Sequence, residues 1–179
     1  MAPFNDRHST HMQTDDSPTS GSINLVTSGA LYSQKVIGSV SLASNSGNIN
    51  GDATTHHAVT GMTEDVTPRN VNWHTSNADT FTVSRTGYYN VSFSIGVQAV
   101  LAFFTRAEAR LLVDGVEQAS VWIVEPYGAA VEYMNVETIT GSKLLYLTAN
   151  QTLSLSIQCN STVFKLLGNQ THLSIHNVD

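Results

Sequence analysis

The residues best suited to bind a metal ion are histidines, of which the sequence has seven. His56, His57 and His74 are the candidates, because imidazole is a common zinc ligand. Adjacent residues of a regular strand point to opposite faces, so His56 and His57 share an ion only across a bend. No cysteine or carboxylate stands at ligand spacing beside them. We therefore predict a polar loop and no metal site.

Four carboxylates offer the oxygen ligands that calcium prefers. They are Asp52, Glu64, Asp65 and Asp79. A dedicated calcium loop places Asp, Asn and Gly densely along one short segment, and these residues do not follow that pattern. The sequence leaves calcium binding open without predicting it.

Catalytic signatures are missing from the sequence. It has no Gly-x-Ser-x-Gly elbow, phosphate-binding loop or His-Glu-x-x-His run. Glu125, Glu132 and Glu137 are the candidates for a pair of glycosidase carboxylates, but any β-protein offers such pairs by chance. We predict that the protein is not an enzyme and needs no cofactor; the alternative of this class is an enzyme acting on polysaccharide.

Two long connections carry groups that suit recognition of a receptor or glycan. In residues 44–57, Asn48, Asn50 and Asp52 can form hydrogen bonds with hydroxyl groups. In the stretch from 125 to 130, Tyr127 offers a stacking face. Loops carry function because a scaffold fixes their ends while their tips vary, so we predict a receptor site at these four residues.

The elements that must position these loops are strands. Residues 81–97 alternate, with Tyr89, Val91 and Phe93 on one face and polar groups on the other, which predicts a half-buried strand. Similar short runs occur from residue 37 onward, with Val131 to Ile139 and Leu144 to Leu147 as separate strands. Asp114-Gly115 predicts a hairpin turn, and Pro68 and Pro126 are placed between strands. With no helix pattern, the sequence predicts an all-β jelly-roll sandwich.

Composition limits the partners. The net charge of −6 argues against nucleic acid or an anionic membrane as a partner. No run approaches the ~20 apolar residues that span a bilayer, so we predict no membrane insertion. A single cysteine, Cys159, cannot form an internal disulfide and is interpreted as a core residue.

The chain is predicted to have three parts. Residues 1–22 are polar and are interpreted as a flexible lead-in to the folded part of the chain. The His11-Met12 pair is typical of residues that a cloning site leaves in a protein. Residues 23–36 carry Leu25, Leu31 and Tyr32, which need burial against other chains or against the next domain. We interpret this segment as a neck for trimerisation and residues 37–179 as the jelly-roll head.

The middle strands carry a family resemblance. The stretch VNWHTSNADTFTVSRTGYYNVSFSIGV resembles the tumour necrosis factor and complement globular-head jelly rolls, which have Gly-x-Tyr-x-Val/Phe-x-Phe where this chain has Gly87, Tyr89, Val91 and Phe93. ARLLVDGVEQ and GSKLLYLTANQTLSLSI resemble later strands of the same domains, although Asn150-Gln151 replaces their Gly-Asp. The resemblance implies a homotrimer. In such domains the second face of the 87–98 strand looks toward neighbouring subunits, which implies an interface at Tyr88, Asn90 and Ser92.

A second resemblance covers residues 18–34. PTSGSINLVTSGALYSQ is similar to a segment of bacteriophage tail-fibre and virion-appendage proteins, where it joins a trimeric stalk to the next part of the chain. Together the two resemblances imply the head of a viral fibre or spike on the virion surface. Such a head binds a host-surface receptor or glycan and contacts other virion appendage proteins. The alternative is a purely structural appendage trimer that binds no receptor.

Overall fold

The computed structural model describes residues 14–15, 25–26, 36–75, 79–101, 103–125 and 136–178. The chain divides into two compact units, Met1–Lys35 and Val36–Asp179. In the first unit, β1 (Thr14–Asp15) and β2 (Leu25–Val26) pair in parallel. The role of residues 23–36 as a neck stays a prediction. In the parts of the chain that the structure describes, no helix is long and apolar enough to cross a membrane.

The described part of the second unit is all-β, as the alternation of its sequence predicts. Its strands are β3 (Ile37–Ser41), β4 (Ile49–Asn50), β5 (His57–Ala58), β6 (Thr63–Arg69), β7 (Val71–His74), β8 (Thr80–Val83), β9 (Gly87–Ala99), β10 (Ala107–Val113), β11 (Val116–Val124), β12 (Val136–Leu147), β13 (Thr152–Cys159), β14 (Val163–Leu166) and β15 (His172–Asn177).

These strands form two sheets. The six-stranded sheet has the order β11-β10-β13-β8-β7, with β5 also paired to β13. The seven-stranded sheet has the order β4-β14-β9-β15-β3-β6, with β12 paired to β9 along its whole length. Consecutive strands often lie in different sheets, which is the connectivity of a jelly-roll sandwich. The predicted fold class is confirmed.

The core consists of apolar side chains from both sheets. In β9 the alternate residues Tyr89, Val91, Phe93 and Ile95 are buried, as the period of two predicts. Burying one such side chain contributes roughly 1.5–3 kcal/mol. The Tyr89 hydroxyl donates a hydrogen bond to the Arg85 carbonyl at 2.6 Å, so this buried phenol keeps a polar partner.

The predicted hairpin turn is present between β10 and β11. Asp114 and Gly115 have φ values of 52° and 74°, and the flanking Val113 and Val116 are paired. Positive φ at both central residues is the requirement of a type I′ turn, which explains the Asp-Gly pair. The Asp114 carboxylate accepts a hydrogen bond from the Thr152 backbone N–H at 2.8 Å, which lowers the pKa of Asp114.

Two details of the strand prediction are wrong. Pro68 lies inside β6, where it is tolerated because β6 is an edge strand paired only with β3. The run 136–147 is one strand without a break at Gly141, because β9 supplies a partner for every residue of β12. Pro126 and residues 131–135 lie outside the described residues.

Candidate interaction surfaces

The side of the seven-stranded sheet that is turned away from the core forms a broad surface, which we call the outer face. Paired residues of antiparallel strands point to the same side, so the strand register groups the outward residues into rows. Four rows cross β12, β9, β15 and β3: Tyr146, Tyr88 and Val178; Leu144, Asn90, His176 and Ile37; Ser142, Ser92, Ser174 and Ser39; Thr140, Ser94, His172 and Ser41. None of these side chains belongs to Asp, Glu, Lys or Arg.

One end of the outer face is apolar and exposed. We call it the apolar end, and its members are Ile37, Tyr88, Leu144, Tyr146 and Val178. Leu144 is 57% exposed and Tyr146 is 59% exposed, although both belong to a regular strand. The rings of Tyr88 and Tyr146 meet edge to face with their centroids 5.1 Å apart. The apolar end is therefore a contiguous patch and not a set of scattered side chains.

The other half of the outer face carries small polar groups around a recess of about 550 Å³. The recess is lined by Ser92, Phe93, Ser94, Trp122, Thr140, Gly141, Ser142 and His172. The Ser92 and Ser174 hydroxyls are 2.7 Å apart, and the Ser94 hydroxyl donates to the Gln170 carbonyl at 2.6 Å. These hydroxyls are neutral and already have hydrogen-bond partners. Another surface can therefore cover them without burying a charge or an unpaired polar group.

Charged groups occur beside the outer face on β6. Asp65 accepts hydrogen bonds from the Ser39 hydroxyl at 3.0 Å and from the Ser41 hydroxyl. Arg69 stands opposite Ile37 in the strand register. The outward side chains of the four rows are thus uncharged, and these ionic groups lie at the β6 edge.

The residues predicted for a trimer interface have different locations. Tyr88, Asn90 and Ser92 all lie on the outer face, in three successive rows. Leu25 belongs to β2 in the other unit. Leu31 and Tyr32 lie outside the described residues. The interface itself stays a prediction.

Sequence reasoning did not identify Leu144 and Tyr146, which are the most exposed side chains of the apolar end along with Val178. The run Leu144 to Leu147 is apolar at every position. Its inward members, Leu145 and Leu147, are buried, so its outward members need a second covering surface. An apolar run on both faces of one strand is the signal that points to this patch.

The connection from 44 to 57 is held to both sheets, because β4 pairs with β14 of the seven-stranded sheet and β5 pairs with β13 of the six-stranded sheet. The Ser46 backbone N–H donates to the Leu166 carbonyl at 2.9 Å, and the Asn45 side chain accepts from the Gly168 N–H at 2.9 Å. At its far part, the Gly51 N–H donates to the Thr162 carbonyl at 3.1 Å. The predicted receptor residues Asn48, Asn50 and Asp52 are exposed on this connection, with Asn50 in β4.

Asp52 has a structural task in that connection. Its carboxylate accepts hydrogen bonds from the Thr55 hydroxyl at 2.6 Å and from the Thr54 backbone N–H at 2.7 Å. These donors, with the Thr55 backbone N–H, hold the pKa of Asp52 well below its usual range. Asp52 therefore fixes the shape of the connection, and Asn48 and Asn50 present its exposed amides. Tyr127, the fourth predicted receptor residue, lies outside the described residues.

A charged cluster that the sequence did not reveal lies on the six-stranded sheet. Glu108 of β10 is nearly buried, and its carboxylate accepts a hydrogen bond from Arg106 at 2.9 Å and from Arg110 at 2.6 Å. The two arginines also pair with Glu125 and Glu117. Arg106, which precedes β10, and Glu108 and Arg110 within it occupy alternate positions of the chain. The sequence shows this spacing, but it does not show that Glu117 and Glu125 join the cluster.

Electrostatics keep this cluster ionised. Burial acts to raise the pKa of Glu108, but the hydrogen bonds from Arg106 and Arg110 outweigh it and the net shift is downward. His56 covers the same carboxylate, with Nε2 3.6 Å from Oε1 of Glu108. Burial, followed by the charge of Arg110, lowers the pKa of His56, which favours the neutral imidazole. The cluster is an ion network of three carboxylates and two arginines, in which each arginine contacts two carboxylates.

Solved structures with the same architecture are found at low sequence identity. The structure of Eiger TNF from S. frugiperda matches with a TM-score of 0.58 and 11% identity, covering 81% of this chain and 92% of that one. Murine APRIL matches with a TM-score of 0.57 and 11% identity, covering 81% of this chain and 100% of that one. The fold is a TNF-like jelly roll. No protein-family model and no curated protein sequence matches the chain.

Several of the described candidate ligands and catalytic groups of this TNF-like jelly roll already have partners within the chain. In the described ranges, no three of its His, Cys, Asp and Glu side chains are grouped so that they could hold a metal ion. Asp79 is buried and accepts the Met62 N–H at 2.5 Å, and burial raises its pKa. Asp65 is occupied by the hydroxyls of Ser39 and Ser41. Glu125 is paired with Arg106, and Glu132 lies outside the described residues.

Proposed function

We propose that the chain is the head of a trimeric viral attachment protein, a fibre or spike of the virion surface. Three copies associate through their outer faces, and the assembled head binds a host-surface receptor or glycan without catalysis. The neck residues Leu25, Leu31 and Tyr32 add contacts between chains. A bacteriophage origin agrees with the tail-fibre-like segment at 18–34.

The apolar end of the outer face is the observation that carries the proposal. Soluble chains expose single apolar side chains routinely, but a contiguous exposed patch marks an interaction site. The patch lies beside an uncharged polar region of small side chains, so a partner surface can approach over several strands. No charge of the four rows would have to be buried in the contact.

Rough energetics agree with an association of this kind. Covering a fully exposed side chain of this size contributes roughly 1.5–3 kcal/mol, and about half of that for a half-exposed one. Five such side chains then supply roughly 4–8 kcal/mol for each chain. The entropy cost of association is about 4–15 kcal/mol. The apolar end therefore supplies a free energy of the same order as this cost, and the neck contacts would add to it.

The fold supports a binding role. A jelly roll of this type presents rigid strands and variable connections, and the connections are the places where recognition residues are held. The connection 44–57 is held at its start by Asn45 and Ser46 and at its end by the pairing of His57 with Ile157. It exposes Asn48 and Asn50, which suits hydrogen bonding to a receptor. Three copies of a weak site raise avidity without any new contact.

Assembly is tested by sedimentation velocity at micromolar concentration. The variants are Leu144→Asp, which places a charge in the apolar end, and Val116→Asp, which places one at an exposed valine of the β10–β11 hairpin. We expect a trimer for the wild type and for Val116→Asp, and a monomer for Leu144→Asp with unchanged circular dichroism. A monomeric wild type contradicts the proposal.

Binding is tested on a glycan array and on intact bacterial cells. We expect concentration-dependent attachment of the trimer and weaker attachment of the Leu144→Asp monomer, because avidity is lost. A trimer that attaches to neither favours the structural appendage. Release of reducing sugar ends from a bound polysaccharide favours the enzyme.

A further inference from the structure

We infer that acid separates the trimer and that His176 is the group that responds to it. This inference rests on the proposed assembly through the outer face and names its regulation. The observation behind it is the position of one imidazole among neutral side chains at the centre of that face.

His176 lies in the second row of the outer face. Its register partners are Asn90 on β9 and Ile37 on β3, and Leu144 continues the row on β12. One neighbouring row is Tyr146, Tyr88 and Val178, and the other is Ser142, Ser92, Ser174 and Ser39. The imidazole is exposed and adjoins the apolar end, where a neighbouring copy would cover it.

No carboxylate stands next to His176 in the four rows. The charged groups on the elements packed beside it are Arg69, opposite Ile37 on β6, and Asp65, which is bound to Ser39 and Ser41. Asp65 is thus directed to the polar rows and Arg69 is a like charge for a protonated imidazole. Among the described residues of the four rows, a positive charge on His176 would find no carboxylate partner.

Histidine changes its charge between pH 5 and 8, and covering an uncompensated charge is costly. A neighbouring copy that covers this row would therefore favour the neutral imidazole, whereas a separate chain leaves the ring in water. Because the separate chains bind more protons, a fall in pH shifts the equilibrium toward them. Trimer stability is fully present above the pH range in which imidazole titrates and is lost as the pH falls through it.

His172 provides a matched comparison on the same strand and the same face. Its register partners are Ser94 and Ser41, and it lines the recess of about 550 Å³. The recess is polar and large enough to keep water beside the ring. We therefore expect His172 to contribute little to the acid sensitivity of the trimer.

The experiment uses the full chain in sedimentation velocity at about pH 7.5 and about pH 5, with ionic strength held constant. The variants are His176→Gln and His172→Gln. Three copies of His176 take part, so the trimer association constant of the wild type should fall by up to roughly a thousandfold per pH unit. His176→Gln should stay trimeric at both values, and His172→Gln should dissociate like the wild type. Far-UV circular dichroism should show folded chains throughout.

Several results would overturn the inference. A wild type that is still trimeric near pH 5, or a His176→Gln variant that dissociates with it, removes His176 as the responsive group. If His172→Gln prevents the dissociation instead, the responsive group is His172 in the recess. Acid unfolding that His176→Gln does not prevent shows a loss of fold and not a separation of subunits. A wild type that is monomeric near pH 7.5 contradicts the proposed assembly itself, which distinguishes the two failures.

Discussion

Tyr88 and Tyr146 stand opposite each other on β9 and β12, on the side of the sheet that faces away from the core, with their ring centroids 5.1 Å apart. Both rings are more than half exposed. Aromatic pairs of this geometry contribute about 0.5–1.5 kcal/mol beyond the area that they cover. An exposed pair gains most when a second surface covers it, and for this reason we place both tyrosines in the proposed contact.

Removal of one ring should weaken assembly more than it weakens the fold. For Tyr146→Ala, we expect the trimer to lose roughly 1–3 kcal/mol per chain, because covered aromatic area disappears. The melting temperature of a dilute, dissociated sample should change little, since the side chain is exposed in the single chain. Sedimentation equilibrium measures the first quantity and circular dichroism the second. Val116→Ala is the control. An equal loss of assembly in that variant would show that the effect does not depend on a side chain of the apolar end.

Gly141 should be intolerant of a side chain. A Cβ at this position would lie 2.6 Å from ring atoms of Phe93 and of Trp122, which themselves pack edge to face at 4.9 Å. Gly141→Ala should destabilise the fold by about 1–3 kcal/mol, as overpacking does. A urea titration measures the change.

Gly47→Ala is the matched control for that substitution, because a Cβ at Gly47 would meet nothing within 4 Å. It should leave the urea midpoint unchanged. Equal midpoints for the two variants would show that Phe93 and Trp122 move aside without cost.

The sequence predicts the framework of this protein better than its surfaces. The alternation of β9 and the Asp114-Gly115 pair depend only on local geometry, so both appear in the structure as expected. The sequence predicts two strands where the structure has the single β12, because a glycine in a strand weakens it locally and the long partner β9 is not visible from local sequence.

Residues of the candidate surfaces depend on pairings across the chain. His176, Asn90 and Leu144 come from three distant segments and become neighbours only through the sheet register. The Glu108 cluster depends in the same way on Glu125 of another segment, linked through Arg106. Long-range register is the information that a single sequence does not supply, and it decides which polar residues meet.

Glu108 should make the fold sensitive to acid. Its pKa is lowered in the folded chain, so its contribution to stability is present above the unfolded pKa and is lost as the pH falls through the acid range. Glu108→Gln should cost on the order of 3 kcal/mol near neutral pH, because Arg106 and Arg110 lose a nearly buried charge partner. It should also flatten the dependence of unfolding free energy on pH below about 5. Urea titrations at a series of pH values provide the measurement.

The control for Glu108 is Glu117→Gln, which removes a more exposed partner of the same Arg110. Exposed ion pairs contribute about 0–1 kcal/mol, so this variant should keep nearly the full stability and the full pH slope. A Glu108→Gln variant that behaves like Glu117→Gln would show that the arginines are satisfied by solvent.

Deletion of residues 1–35 should leave a folded jelly roll. The second compact unit begins at Val36, whose backbone N–H donates to the Asn177 side chain at 2.8 Å. The start of this unit is therefore bound to its last strand, β15, without residues 1–35. We expect unchanged far-UV circular dichroism and a weaker trimer, because Leu25, Leu31 and Tyr32 are predicted to add contacts between chains. An unfolded product would place residues 23–35 in the domain, and an equally stable trimer would remove them from the interface.

Attachment should depend directly on the exposed amides of the connection 44–57. The hydrogen bonds within the connection should affect attachment only through its shape. The double substitution Asn48→Ala and Asn50→Ala removes two exposed side chains, while the bonds that hold Ser46 and Gly51 remain. We expect attachment of the trimer to bacterial cells or glycans to fall at least roughly tenfold, because three weakened sites lose avidity together.

Asp52→Ala should also reduce attachment, but through a loosened connection, since the Thr54 and Thr55 donors lose their acceptor. Hydrogen exchange at Thr54 and Thr55 separates the two causes: it should rise in Asp52→Ala and stay unchanged in the double variant. Undiminished attachment of the double variant, with trimer and melting temperature preserved, would place the receptor site on another part of the head, with Tyr127→Ala as the next variant to measure.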